Sequence, residues 1–325
     1  MKLSSLMLFS GVITALVSAV CPAWAQSDFP SRPIRIIVAA GPSTSGDMVA
    51  RAMADEMSKQ LRVAVTIENR EGSGGNVGQI AAARAAPDGY TILLATSALT
   101  SSAQMLNPPQ YNPIKDFVPL GRIGEVPLLV VVGSETPFNQ WTDIVKYARS
   151  SPGKMNFATM GKGSASHLFT SILEQEFSMS GVDVGYKSVN QGIMDTSTGK
   201  IDMYLANLPP AAGLLSAGKL RVIAVGSASR LPSMPNVPTF AELTGKPNFS
   251  ASLWYGLFVP TGTPAAVVAR LSQETVKAAA TQQVKDRIEG AGGFISVGSG
   301  RELQEQMESD FKRFGGIIKQ LGLAK

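Results

Sequence analysis

Ile34-Arg35-Ile36-Ile37-Val38-Ala39-Ala40 is an almost unbroken apolar run, and a loop of small residues follows it at once, Gly41-Pro42-Ser43-Thr44-Ser45-Gly46-Asp47. A strand that is apolar on both faces has to be covered on both faces, as the strands of parallel sheets flanked by helices are. The residues after the loop, 48–57, have helical character. Strand, small-residue loop, helix start: this order aims free backbone N–H groups and the positive end of a helix dipole at one spot. Such a spot suits an anion, carboxylates included. It equally describes a helix cap that satisfies its own donors.

The pattern continues. Residues 63–67 read as a second strand, 77–86 as an alanine-rich helix, and 90–95 as a third strand ending at Thr96-Ser97. Alternating strands and helices of this kind argue for an α/β sheet. The stretch from 118 to 132 is long, extended and apolar, with breaks at Pro119, Gly124 and Pro127. It is long enough to leave one domain and enter another. A second series follows: helix 141–150, strand 155–159, the loop Met160-Gly161-Lys162-Gly163-Ser164-Ala165-Ser166, and a helix from His167 to about 177. Residues 182–187, 201–205 and 220–225 read as strands. Beyond a Pro-rich segment come an extended stretch 253–259, a helix 264–280 opened by Pro264, and an amphipathic helix 301–322. This last part is expected to return to the first domain. The Gly/Ser loop between strand and helix thus occurs in each half, as a clamshell closing on an anionic ligand requires.

Composition narrows the function. The 325 residues carry a formal charge of +5, with the Lys and Arg scattered and no basic run interleaved with aromatics, which argues against nucleic acid. Cys21 is the only cysteine and His167 the only histidine. Neither a disulfide nor a His-based metal cluster is available, and no cofactor is expected. Lys2, the apolar run 6–17 and Ala23-Trp24-Ala25 form a secretory signal peptide with cleavage after Ala25. A lipoprotein would be anchored through Cys21, but bulky Val20 before it argues against that processing.

Three constellations invite chemistry. Ser164 and His167 lie three apart at a helix start and would be nucleophile and base in a hydrolase. No G-x-S-x-G elbow surrounds Ser164, however, and no acid partner is evident in the chain order. Gly72, Gly74 and Gly78 resemble a dinucleotide loop loosely, yet the next strand ends in Thr96-Ser97 with no acid to hold a ribose. Tight turning is the simpler use of those glycines. Asp47 either meets a ligand amine or charges the first turn of its helix. Trp254 and Tyr255 either stack on a ligand or fill the core, the core being favoured.

Taken in order, these residues resemble a known family. The matching stretches include Phe29-Pro30-Ser31-Arg32-Pro33, Asp47-Met48-Val49-Ala50-Arg51, Glu68-Asn69-Arg70, Gly74-Gly75-Asn76-Val77-Gly78 and Ala86-Pro87-Asp88-Gly89-Tyr90-Thr91. Further on come Tyr111-Asn112-Pro113-Ile114-Lys115-Asp116-Phe117, Gly163-Ser164-Ala165-Ser166-His167-Leu168, Val237-Pro238-Thr239-Phe240-Ala241-Glu242 and Gly262-Thr263-Pro264. The chain is similar to the Bug-type periplasmic solute-binding proteins of tripartite tricarboxylate transporters.

The resemblance implies a two-domain Venus flytrap, each domain a mainly parallel sheet flanked by helices, with the ligand in the cleft between. It implies domain 1 at 26–123 and 229–325, domain 2 at 124–228, and a non-enzymatic monomer in the periplasm. The protein would deliver a small carboxylate to membrane permease subunits. The implied ligand-binding residues are Ser43, Thr44, Ser45, Gly46 and Asp47 in the first loop, Thr96 and Ser97 after the third strand, Gly163, Ser164, Ala165, Ser166 and His167 in the second loop, and Asn207. Two departures stand out. The family commonly has Gly-Gly at Ser43-Thr44 and Pro-Phe at Ala39-Ala40. The first departure adds hydroxyls to the pocket loop and narrows its access to positive φ. The rivals are a ligand-loaded partner of a periplasmic sensor and, from another class, a secreted Ser/His hydrolase.

Overall fold

The apolar run at the head of the chain forms β1 (Ile34–Val38), whose Ile34, Ile36, Ile37 and Val38 are all buried. The computed structural model describes residues 29–42, 44–247 and 249–324. The signal peptide expected at 1–25, its cleavage site and Ser43 lie outside the described residues.

After β1 the chain forms α1 (Ser45–Leu61), β2 (Val65–Asn69), α2 (Asn76–Ala83), β3 (Thr91–Thr96) and the short α3 (Ala98–Ser102). Along α1, Val49, Ala50, Met53 and Met57 recur at helical spacing and are fully buried. Each large side chain in that stripe contributes about 1.5–3 kcal/mol by leaving water. β1 pairs in parallel with both β2 and β3.

The extended stretch at 118–132 is two strands in two different sheets, β4 (Phe117–Pro127) and β5 (Leu129–Gly133). From there the chain builds α4 (Trp141–Ser150), β6 (Met155–Thr159), α5 (Ala165–Glu176), β7 (Gly181–Gly185), α6 (Val189–Ser197), β8 (Met203–Ala206), α7 (Leu208–Ser216) and β9 (Leu220–Val225). Next come α8 (Phe240–Thr244), β10 (Ser252–Pro260), α9 (Ala265–Ala279), α10 (Gln282–Gly290), β11 (Phe294–Ser299) and α11 (Gly300–Gln320).

One sheet has the order β11-β4-β10-β3-β1-β2, the other β7-β6-β8-β5-β9. Parallel pairing is confined to β2-β1-β3 and β7-β6-β8. The strands adjoining the crossings, β4 and β10 in the first sheet and β5 and β9 in the second, pair antiparallel. Both sheets are therefore mixed, and each is packed between helices in a two-lobed arrangement.

The two connections between the sheets, β4 to β5 through Leu128 and β9 to β10 with Gly226 and Ala251 at its ends, meet in a closed ring of backbone hydrogen bonds. Leu128 N–H donates to the Ala251 carbonyl at 2.9 Å, Ala251 N–H to Gly226 at 2.8 Å, and Gly226 N–H back to Leu128 at 2.8 Å. The last helix does not stay with the first sheet alone. Leu303 and Met307 of α11 pack with Trp254 and Phe258, while Phe314 and Ile318 pack into the core of the second sheet, with Phe314 edge-on to Phe169 at 5.7 Å.

Candidate functional site

The first loop lies between β1 and α1, and Thr44 caps the helix. Its backbone is extended (φ −78°, ψ 162°), and its Oγ1 accepts from Asp47 N–H at 3.3 Å while donating to the Gly41 carbonyl at 2.8 Å. Asp47 N–H is thus satisfied by the cap and Met48 N–H by the Thr44 carbonyl at 3.0 Å, while the N–H groups of Ser45 and Gly46 take no acceptor among the described residues.

Thr44, Ser45 and Gly46 line a cavity of about 170 Å³ whose walls are the ends of β1 and β3 together with Gln79, Leu253 and Tyr255. Thr96 lines it too. Thr44 and Ser45 also face a second space of about 440 Å³, closed on its far side by Val189, Asn190, Asn207, Pro209 and Pro210 of the second lobe. The cleft therefore runs between the lobes over the N-terminus of α1. No charged side chain lines either space among the described residues. Whatever attracts an anion here is the dipole and the N–H groups.

Asn207 caps α7 at the edge of the second lobe, and its Nδ2 is buried with no hydrogen-bond partner among the described residues. A buried donor without a partner costs roughly 1–3 kcal/mol. In a cleft it marks a place where an acceptor is due.

The other expected site residues are placed differently. The Asp47 carboxylate is buried and held by Arg51 at 3.0 Å and by Asn69 Nδ2 at 2.9 Å, so it braces the first turn. That interaction raises the Arg51 pKa above its ordinary value. Ser97 is buried, its carbonyl accepting from Thr100 Oγ1 at 2.8 Å, and it lines neither cavity.

The second loop leads into α5 and is tied up in its own bonds. Ser164 caps the helix, its Oγ accepting from His167 N–H at 3.3 Å. Ser166 Oγ accepts from Met160 N–H at 3.0 Å. His167 Nδ1 accepts from Gly163 N–H at 3.1 Å. Gly163, Ser164, Ala165, Ser166 and His167 line neither of the two spaces that Thr44 and Ser45 face. The Ser164 hydroxyl meets the His167 backbone, and the imidazole turns to Gly163. No nucleophile–base pair is formed.

His167 gives a pH prediction. Burial pushes its pKa below the ordinary value, Lys162 pushes the same way, and Asp183 at 4.0 Å from Nε2 opposes them. The group therefore favours the fold when neutral. Its contribution is complete above the unfolded pKa near ~6.5 and is lost as pH falls through the lower folded value. Protonating Nδ1 also breaks the bond from Gly163. Thermal melts between neutral and mildly acidic pH should fall more steeply for wild type than for His167→Asn, whose Oδ1 can accept the same bond without titrating. Equal slopes would show that His167 does not carry this dependence.

Sequence reasoning missed Gln79, Asn190 and Leu253. Tyr255 is expected from the sequence mainly in the core. Tyr255 is buried, but its hydroxyl is 2.9 Å from Ser45 Oγ and it forms part of the cavity wall. Among the described residues no group of three or more His, Cys, Asp or Glu is placed to hold a metal, and no helix is long and apolar enough to cross a membrane.

Two mixed α/β lobes, joined by two connections between the sheets and facing each other across a cleft lined by a helix N-terminus, define a solute-binding protein of the periplasmic type. A family profile described as the tripartite tricarboxylate transporter family receptor, TctC, matches residues 49–323, and the chain belongs to that family. A protein of the tcbD–tcbE intergenic region of Pseudomonas sp. strain P51 is 32% identical over 95% of this chain and 92% of its own length. Among solved structures, R. palustris Rpa4515 with adipate is 28% identical with a TM-score of 0.78, covering 91% of this chain and 99% of that one. MatC of Rhodopseudomonas palustris with bound malate is 26% identical with a TM-score of 0.76, covering 89% and 100%.

Proposed function

We propose that this protein captures a small carboxylate in the periplasm and hands it, as a monomer, to the membrane subunits of a tripartite transporter. The observation that carries the reading is a cleft with no charged lining, built over the N-terminus of α1 and faced by the unpartnered Asn207 amide. Adipate in Rpa4515 and malate in MatC support the ligand class. The site comprises Thr44, Ser45, Gly46, Thr96 and Asn207. Gly163 and the cap Ser164 lead into the first turn of α5, Ala165 to His167, on the second lobe. The lobes divide where the sheets do, at Leu128, Gly226 and Ala251, and closing rotates them about that backbone ring.

A thermal-shift panel of mono- and dicarboxylates on the purified protein tests this. A ligand bound only by the folded state raises the melting temperature by mass action, by about 2.7 kcal/mol of stability at a hundredfold excess over Kd. At least one small acid should do so. A panel with no acid active, or ester hydrolysis that disappears in Ser164→Ala, would refute the reading.

A further inference from the structure

We propose that Gln79 determines ligand specificity by donating a hydrogen bond from Nε2 to a second, neutral oxygen on the far end of the bound acid; this rests on the carboxylate-binding reading above.

Gln79 is 1% exposed, yet it lines the first-lobe cavity. Its Oε1 is turned away into a buried polar cluster, where it accepts from Tyr111 Oη at 2.5 Å and from Ser102 Oγ at 3.0 Å. Fixing one end of a planar amide fixes the other. Nε2 takes no acceptor among the described residues, and it lies beside Gly75 and the cavity-lining Ala39: a Cβ added to Gly75 would be 3.0 Å from it and 3.1 Å from the Ala39 carbonyl oxygen.

The glycines of this loop make the placement possible. Gly75 has φ +95°, and a Cβ on Gly78 would meet Ala39 Cα and the Arg70 carbonyl at 2.9 Å. α2 can therefore lie directly against the end of β1, and Gln79 reaches the cavity. The Gly-rich stretch that loosely resembles a dinucleotide loop serves this close approach.

The chemistry of the bound group follows from the surroundings. Val38, Ala39, Leu94, Ala95 and Leu253 make the rest of the wall apolar, and no cation is present in the lining. A second carboxylate there would lose its hydration for one neutral donor, which is unfavourable. A carbonyl or hydroxyl oxygen loses far less and completes the amide. The ligand class is a short acid carrying an oxo or hydroxy group, in preference to a plain aliphatic acid.

Calorimetry with hexanoate and 5-oxohexanoate reads this as a ratio of affinities within each protein. Wild type should prefer the oxo acid by about tenfold, and Gln79→Leu should bring the ratio to about one. Gln79→Glu keeps an acceptor for Tyr111 and Ser102, so it preserves the buried cluster. It removes the donor and adds negative charge, and should abolish the preference while weakening both acids. An undiminished preference in both variants, or no preference in wild type, overturns the assignment. Absence of binding of both acids to wild type overturns it as well, while the carboxylate reading is decided separately by the wider panel.

Discussion

Gly226→Ala is expected to destabilise the protein by about 3–5 kcal/mol, the combined cost of an overpacked site and broken backbone hydrogen bonds. An added Cβ would be driven into the Ala251 carbonyl oxygen, and would lie 2.8 Å from Ala251 C and 3.0 Å from the Leu128 oxygen. All three are backbone atoms, so no rotamer change relieves the contact. The same atoms close the ring of bonds that joins the crossings, and the hydroxyls of Ser250 and Ser252 also donate to the Gly226 carbonyl. Relief of the clash therefore opens the junction between the lobes. Gly213→Ala is the control: it lies inside α7 with nothing within 4 Å of the added carbon, and should stabilise by about 0.5–1 kcal/mol. Urea unfolding of the two variants against wild type decides it. A Gly226→Ala protein as stable as wild type would show that this ring of bonds does not hold the junction between the lobes.

Ser45→Pro is expected to fold and to lose ligand affinity by about ten- to a hundredfold, the equivalent of one charge-assisted hydrogen bond of about 1.5–3 kcal/mol. Ser45 is the first residue of α1, where proline is well tolerated, and Thr44 before it already has the extended backbone that a following proline requires. The substitution deletes an N–H at the mouth of the cavity while leaving the helix intact. It also removes the hydroxyl that meets Tyr255 Oη, so Ser45→Ala is needed beside it. Both variants should share the stability loss from an unpaired buried phenol, roughly 1–3 kcal/mol. Only the proline variant should show the full affinity loss in calorimetry. Equal affinities for the two would mean that the Ser45 N–H does not touch the ligand.

Much of this architecture is legible in the chain because burial on two faces leaves a plain mark. β1, β3 and β5 are near-continuous apolar runs, and α1 and α5 follow loops of small residues. α10 and β11 leave no such mark. α10 buries only Val284 and Ile288 among polar neighbours, and β11 is half-buried along most of its length, so its place at the sheet edge is decided by pairing with β4. The site divides in the same way. Thr44 to Asp47 announce themselves through local sequence, since caps and first-turn acids are local devices. Even there, Arg51 at i+4 already names the partner that Asp47 takes. Gln79 is silent because its role depends on Tyr111 and Ser102, which fix its amide from more than twenty residues away. Asn207 is visible as a cap ahead of Pro209 and Pro210, but the want of an acceptor for its Nδ2 is a property of packing alone.

A carboxylate is held here by N–H groups and a helix dipole in a cleft without charged side chains. Calorimetric titration of wild type with the tightest acid of the panel and with its carboxamide tests it most directly. The acid should bind at least about a hundredfold more tightly, since the amide forgoes both the charge–dipole attraction and the charge-assisted hydrogen bonds. An amide that binds as tightly as the acid would contradict the account.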